Sequence, residues 1–249
     1  MAASTQAQQV ANSKSGIVYG VAAYLCWGFF PLYWPLLEPA SPWEILAHRI
    51  TWTFVFCVGL LTVTRKWRPY FQILRQRKLM VPLAFASVVI TINWGGFIWG
   101  VTNGHVLDAS LGYFINPLVT VLLGVFLLGE SLRRLQWAAV ALGAIAVLVL
   151  TIDYGRPPWI ALVLAFSFAT YGFLKKKASL GTVEALSVET TILFPFALAF
   201  LGFLAAAGTL AFGHEGTVNT LLLMGTGVVT GIPLLLFGAA ATRLTLTTI

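Results

Sequence analysis

Eight apolar runs, each about as long as a bilayer is thick, follow one another from one end of this chain to the other. Cut at charged and turn-forming clusters, they fall near residues 16–37, 44–64, 79–101, 110–129, 135–152, 157–174, 186–207 and 218–241. About 20 residues rising 1.5 Å each cross a hydrocarbon core ~30 Å thick. In that solvent a segment must satisfy its own backbone N–H and C=O groups, so each run is expected to be a helix. Composition agrees, with 59% of residues apolar and 9% charged, against roughly 25% charged in a soluble domain. The fold class is therefore an all-α, polytopic membrane bundle.

The net charge of +7 would suggest nucleic acid in a soluble chain, but the positions of the basic residues point elsewhere. Thirteen Lys and Arg lie in the tail and the even-numbered connections, from Lys14 through Arg65, Lys66 and Lys78 to Lys175–Lys177 and Arg243. The opposite loops carry Arg156 alone. That bias predicts a multi-pass protein with a cytoplasmic N-terminus, a lipid partner and no nucleic acid. Residues 1–15 read as a disordered cytoplasmic tail. With no basic leader before it, the first run reads as a span rather than a cleaved signal. Cys26 and Cys57 both fall inside spans, so no disulfide framework or metal motif is expected. No G-x-x-x-x-G-K-[ST] loop, HExxH or GxGxxG after a strand is present. Neither an ATP-driven pump nor an enzyme is expected from these residues, and no cofactor or metal.

Two stretches of the chain echo one another. Trp27-Gly28-Phe29 in span one resembles Tyr171-Gly172-Phe173 in span six, 144 positions on. Glu44-Ile45-Leu46 opening span two resembles Glu184-Ala185-Leu186 opening span seven, at an offset of 140. Ser110-Leu111 pairs with Thr248-Ile249 at 138. A five-span unit is odd, so successive copies take opposite orientations, a common plan in secondary transporters with a midplane site between the copies. The expected units are 1–15 as tail, 16–152 as a first five-helix repeat and 153–249 as a second, cut short. Eight spans stand for an expected ten.

Ionisable groups inside spans are costly and usually face a cavity or a partner. His48 and Arg49 lie about one turn into span two, and Glu189 lies at the depth of Arg49 in span seven. Either Arg49 receives an anionic substrate group or Glu189 carries a coupling proton, or the two form a structural pair with each other. They could also snorkel to the interface. Asn93-Trp94, and Tyr113 with Asn116-Pro117, are the next candidates. Pro117 frees a carbonyl in the preceding turn, and the hydrogen-bonding groups beside it suit a broken stretch lining a cavity, or a kink packed on a neighbour. Trp94 and Trp99 could stack a planar ligand or anchor at the interface. Gly16-xxx-Gly20, Gly96-xxx-Gly100 and Gly227-xxx-Gly231 speak to helix packing.

The stretch Asp108-Ala109-Ser110-Leu111-Gly112-Tyr113-Phe114-Ile115-Asn116-Pro117-Leu118 closely resembles a hallmark of RarD proteins, in the EamA branch of drug/metabolite transporters. That family more often has Glu where Asp108 stands. Ala47-His48-Arg49, Asn93-Trp94, Phe97-Ile98-Trp99, Glu189-Thr190 and Pro233 to Ala239 are similar as well, so the likeness runs from about residue 15 to 249. It implies ten helices in two inverted repeats, in a bacterial inner membrane. The implied cavity is lined by helices one to four and six to nine. The family's chains run on past Thr248-Ile249 into two further helices. The expected function is a permease moving a small organic metabolite or drug by alternating access, with a homodimer as an open assembly state. The substrate-binding candidates are His48, Arg49, Asn93, Trp94, Tyr113, Asn116 and Glu189. Two rivals stand beside it: a truncated, non-transporting membrane subunit held by a partner, and an intramembrane enzyme using His48 and Glu189, which lacks a nucleophile–base set.

Overall fold

A computed structural model describes residues 2–153, 155, 157–178, 180–245 and 248, with side chains from Lys14 onward. Arg156 and Ile249, used above for orientation and for the internal match, lie outside the described residues. Among those described, eight segments are long and apolar enough to cross a membrane. They are α1 (Ala2–Gly28) continued by α2 (Phe30–Tyr33) and a 3-10 turn Trp34–Leu37, then α3 (Pro42–Val63), α5 (Arg77–Thr102) and α6 (Val106–Leu128). Helices α7 (Arg134–Asp153), α8 (Trp159–Ala178), α9 (Thr182–Ala206) and α10 (Gly216–Ala241) complete the set, and the short α4 (Trp67–Leu74) lies between α3 and α5. Every expected span is found within about a turn of its expected place.

Two expectations are corrected. Helix α1 begins at Ala2, inside the segment read as a disordered tail. Residues 2–13 hold no Gly or Pro and are rich in Ala and Gln, so nothing in them stops a helix from running back from span one. The stretch around Pro117 is not broken either. Helix α6 runs unbroken from Val106 to Leu128 with Pro117 inside it, because a proline removes one ladder hydrogen bond, and a membrane helix tolerates that loss without ending.

Helix α3 sits at the centre, packed between α9 and α10. Helix α8 packs on α5 and α6, and α1 packs on α10. Close approach of α10 to α3 depends on glycine. A Cβ on Gly227 would fall 2.3 Å from the Trp52 carbonyl, and one on Gly231 would fall 2.5 Å from the Phe56 ring. Helix α7 packs on α6 and buries none of its described residues. Large apolar side chains such as Phe114, Phe126, Leu135, Ile152 and Phe196 stand exposed on the outside of the bundle. A soluble monomer rarely shows such a surface, and lipid covers it.

Candidate functional site

Two prolines build one wall of the site. Helix α1 ends at Gly28, and Pro31 and Pro35 follow. Neither can donate a ladder hydrogen bond, so the chain leaves the α-helical course in a short α2 and a 3-10 turn. The rewound segment buries Phe30 and Trp34. Opposite them stands Arg49 of α3, 2% exposed. Its guanidinium carbon lies 4.3 Å from the Trp94 ring centre, 5.1 Å from that of Trp34 and 5.5 Å from that of Phe30. Its Nε donates to Thr230 Oγ1 of α10 at 2.8 Å. Among the described residues it has no carboxylate within 4.0 Å. The Tyr113 hydroxyl lies within electrostatic reach of it. Four elements therefore meet at one cation, and the Trp34 indole N–H beside it is buried with no hydrogen-bond partner among the described residues.

That balance is uneven. Taking a guanidinium out of water costs several kcal/mol. Contacts with aromatic faces return ~2 kcal/mol or more when desolvated. One hydrogen bond to a charged group adds ~1.5–3 kcal/mol. The rings also leave the positive potential in place instead of cancelling it. What the cage can do chemically is receive an anion.

Glu189, the residue expected to face Arg49, is held elsewhere. Its Oε1 lies 2.8 Å from Lys175 Nζ and its Oε2 accepts from the Tyr171 hydroxyl at 3.0 Å, all three groups being buried. Arg49 and Glu189 form no ion pair with each other, and burial of both excludes snorkelling. The reason is reach. Lys175 sits one helical turn beyond Tyr171 on α8, and both point at α9. At the 144-residue offset the counterpart of Lys175 is Pro31, which brings no charge to Arg49.

The other candidates scatter. Asn93 is turned away from Arg49, its Nδ2 donating to Leu164 O at 2.9 Å and Ser167 Oγ at 3.0 Å, a polar clamp between α5 and α8. Asn116 accepts from Thr120 at 3.1 Å and keeps a buried, unpartnered Nδ2. Tyr113 is half open and meets the Phe97 ring edge-on. His48 accepts at Nδ1 from Trp52 Nε1 at 3.2 Å and stacks on Phe212 at 4.6 Å. Trp99 stacks on His105 and approaches Trp159 near a helix end, as an interfacial residue does. Sequence reading missed Phe30, Trp34, Thr230, Lys175 and Tyr171. A signal existed for Lys175 alone: its i, i+4 spacing from Tyr171, a residue already singled out by the internal match.

Comparison with known proteins gives the family. Over 238 residues the chain is 51% identical to Protein RarD of Streptomyces exfoliatus, covering 96% of this chain and 76% of that one. It is 43% identical over 238 residues to Protein RarD of Escherichia coli (strain K12), covering 96% and 80%. It is 45% identical over 241 residues to the uncharacterized transporter YojE of Bacillus subtilis (strain 168), again covering 96% and 80%. Residues 14–152 match the EamA-like transporter family. That match spans more than half of the chain, and the relatives span nearly all of it, so the chain belongs to the EamA-like transporter family, on its RarD-like branch.

Proposed function

We propose that this protein is a secondary transporter that moves a small organic anion across the bacterial cytoplasmic membrane by alternating access. Arg49 is the substrate anchor, with Trp94, Trp34 and Phe30 as the wall for the substrate's apolar body. The N-terminus and the basic end of the bundle face the cytoplasm, in line with the thirteen-to-one charge bias. Helices 16–152 and 153–249 act as two inverted repeats that rock about the Arg49 site. The observation that carries this reading is a buried, aromatic-caged guanidinium with no carboxylate partner within 4.0 Å among the described residues.

Thermal unfolding of the purified protein with benzoate, and with its uncharged isostere benzamide, tests the site. Benzoate is expected to raise the midpoint, since a ligand at a hundred times its dissociation constant adds ~2.7 kcal/mol to the state it binds. Benzamide is expected to leave it unchanged, and Arg49→Gln to abolish the benzoate effect. Equal shifts from both compounds, or a benzoate shift that survives Arg49→Gln, would falsify the assignment. Uptake of benzoate into proteoliposomes separates a transporter from a membrane subunit that binds without moving its ligand.

A further inference from the structure

Helices α3 and α9 lie antiparallel, and each opens with a glutamate at its third position, Glu44 and Glu184. A third-position glutamate ordinarily folds back to cap its own helix. Here Ser41 caps α3 by accepting from Glu44 N at 3.2 Å, and the Glu44 side chain is sent elsewhere. Buried to 1%, its carboxylate accepts from Ala211 N at 2.9 and 3.1 Å and from Phe212 N at 3.0 Å. Those two amides belong to the connection that leaves the C-terminus of α9. One turn further along α3, His48 stacks on the Phe212 ring at 4.6 Å, and its Nε2 lies 3.7 Å from Glu44 Oε1.

The opposite end repeats the arrangement with the helices exchanged. Glu184 of α9 holds Lys66, whose Nζ lies 3.0 Å from Oε1 and 3.3 Å from Oε2. Lys66 belongs to the connection that leaves the C-terminus of α3. Each helix thus uses its own opening glutamate to grip the strand of chain departing from the other. The chemistry differs between the ends. Glu44 grips backbone N–H groups in a dry setting, where a charge-assisted bond is strong. Glu184 grips a half-open ammonium across which salt screens.

We propose that Glu44 and Glu184 are the two gates of the transport cycle, released in alternation. The structure, with both engaged, is the closed intermediate between them. The inference rests on the transporter reading. Opening at the Ala211 end requires α9's exit segment to leave Glu44, and opening at the basic end requires α3's exit segment to leave Glu184. Because the two grips share the α3–α9 pair, letting go at one end leaves the other as the hinge.

Single-cysteine reporters at the two ends of the α3–α9 contact test this without any substrate. One is Ala47→Cys, buried near Glu44, in a Cys26→Ser, Cys57→Ser background. The other is the native Cys57, buried two turns from the basic end of α3, in a Cys26→Ser background. Labelling by a charged maleimide is measured on the full-length protein in nanodiscs. Glu44→Gln is expected to raise labelling at position 47 about tenfold and to leave Cys57 unchanged, the population shift that loss of a charge-assisted bond produces. Glu184→Gln is expected to do the reverse. Lys66→Gln cuts the Glu184 grip from the other side, and Phe212→Pro removes one of the two N–H donors that Glu44 holds. Each should move labelling in the same direction as its partner, which keeps the test decisive where a glutamate variant fails to fold. Labelling that rises at both ends together, or at neither, would overturn the proposal. If the two-ended pattern holds while benzoate uptake is absent from proteoliposomes, the two grips release separately but the transporter reading fails, and with it their role as gates of transport. If uptake holds without the pattern, the transporter reading stands and the gates fail.

Discussion

Arg49 and Glu189 occupy positions related by the 140-residue offset, carry opposite charges and are equally buried, at 2% exposed each. Their surroundings have nothing in common. Glu189 has an ammonium at 2.8 Å and a phenol at 3.0 Å, so its charge is neutralised where it sits. Arg49 has three aromatic faces and a threonine hydroxyl, which hold it without neutralising it. Two charges that look symmetric along the chain thus divide the labour. One half of the bundle uses its charge to tie α8 to α9, and the other holds its charge among aromatic faces, with no carboxylate within 4.0 Å among the described residues.

The most severe way to break the comparison is to exchange the two side chains. Arg49→Glu with Glu189→Arg places a carboxylate among aromatic faces and a second cation against Lys175. If the two environments are as different as described, the exchange yields no folded protein. Detergent-extracted, monodisperse yield is the measurement, and near-normal yield would mean that Arg49 and Glu189 meet after all.

Removing only one side is the next largest effect. Glu189→Leu strands the buried Lys175 ammonium, and breaking a buried pair from one side typically costs ~3–5 kcal/mol. Adding Lys175→Met should return the unfolding midpoint to near the parent value, because a matched apolar pair of similar volume is often neutral or better. A Glu189→Leu protein as stable as its parent would remove the structural role assigned to the pair.

The smallest effect sharpens the other side. Thr230→Val keeps the volume and deletes the one hydrogen bond to Arg49 Nε, which should cost ~1.5–3 kcal/mol. It should also weaken benzoate binding, because the guanidinium loses the contact that fixes its plane. Isothermal titration beside a thermal melt reads both. A loss of stability with unchanged affinity would show that Thr230 holds α10 to α3 and does nothing for the ligand site.

The spans were legible because lipid burial is counted residue by residue. Pro42 to Val63 or Thr182 to Ala206 announces a crossing by its own composition, whatever it packs against. The Glu44–Ile45–Leu46 and Glu184–Ala185–Leu186 match was legible too, though as an internal echo and not as a pair of grips. His48, Arg49 and Glu189 stood out because a charge in a span is expensive wherever it goes. Lys175 was hidden at the head of three lysines, where it looked like one more interfacial cation. Trp34 and Phe30 were hidden because aromatic residues near a span end are ordinary.

Local bookkeeping along the chain was therefore enough to set the solvent, the span number and the short list of costly charges. Partner choice was not open to it. Coulomb attraction and hydrogen bonding fall away within a few ångströms, so they depend on which helix faces meet. Proline rewinding after Gly28 turns Phe30 and Trp34 inward, and one turn of α8 carries Lys175 to Glu189 instead of leaving it in water. Both are settled by which helices pack together, α3 against the rewound segment and α8 against α9. The same folding step decides which buried charge is paired with an opposite one and which is held by aromatic faces and a threonine hydroxyl.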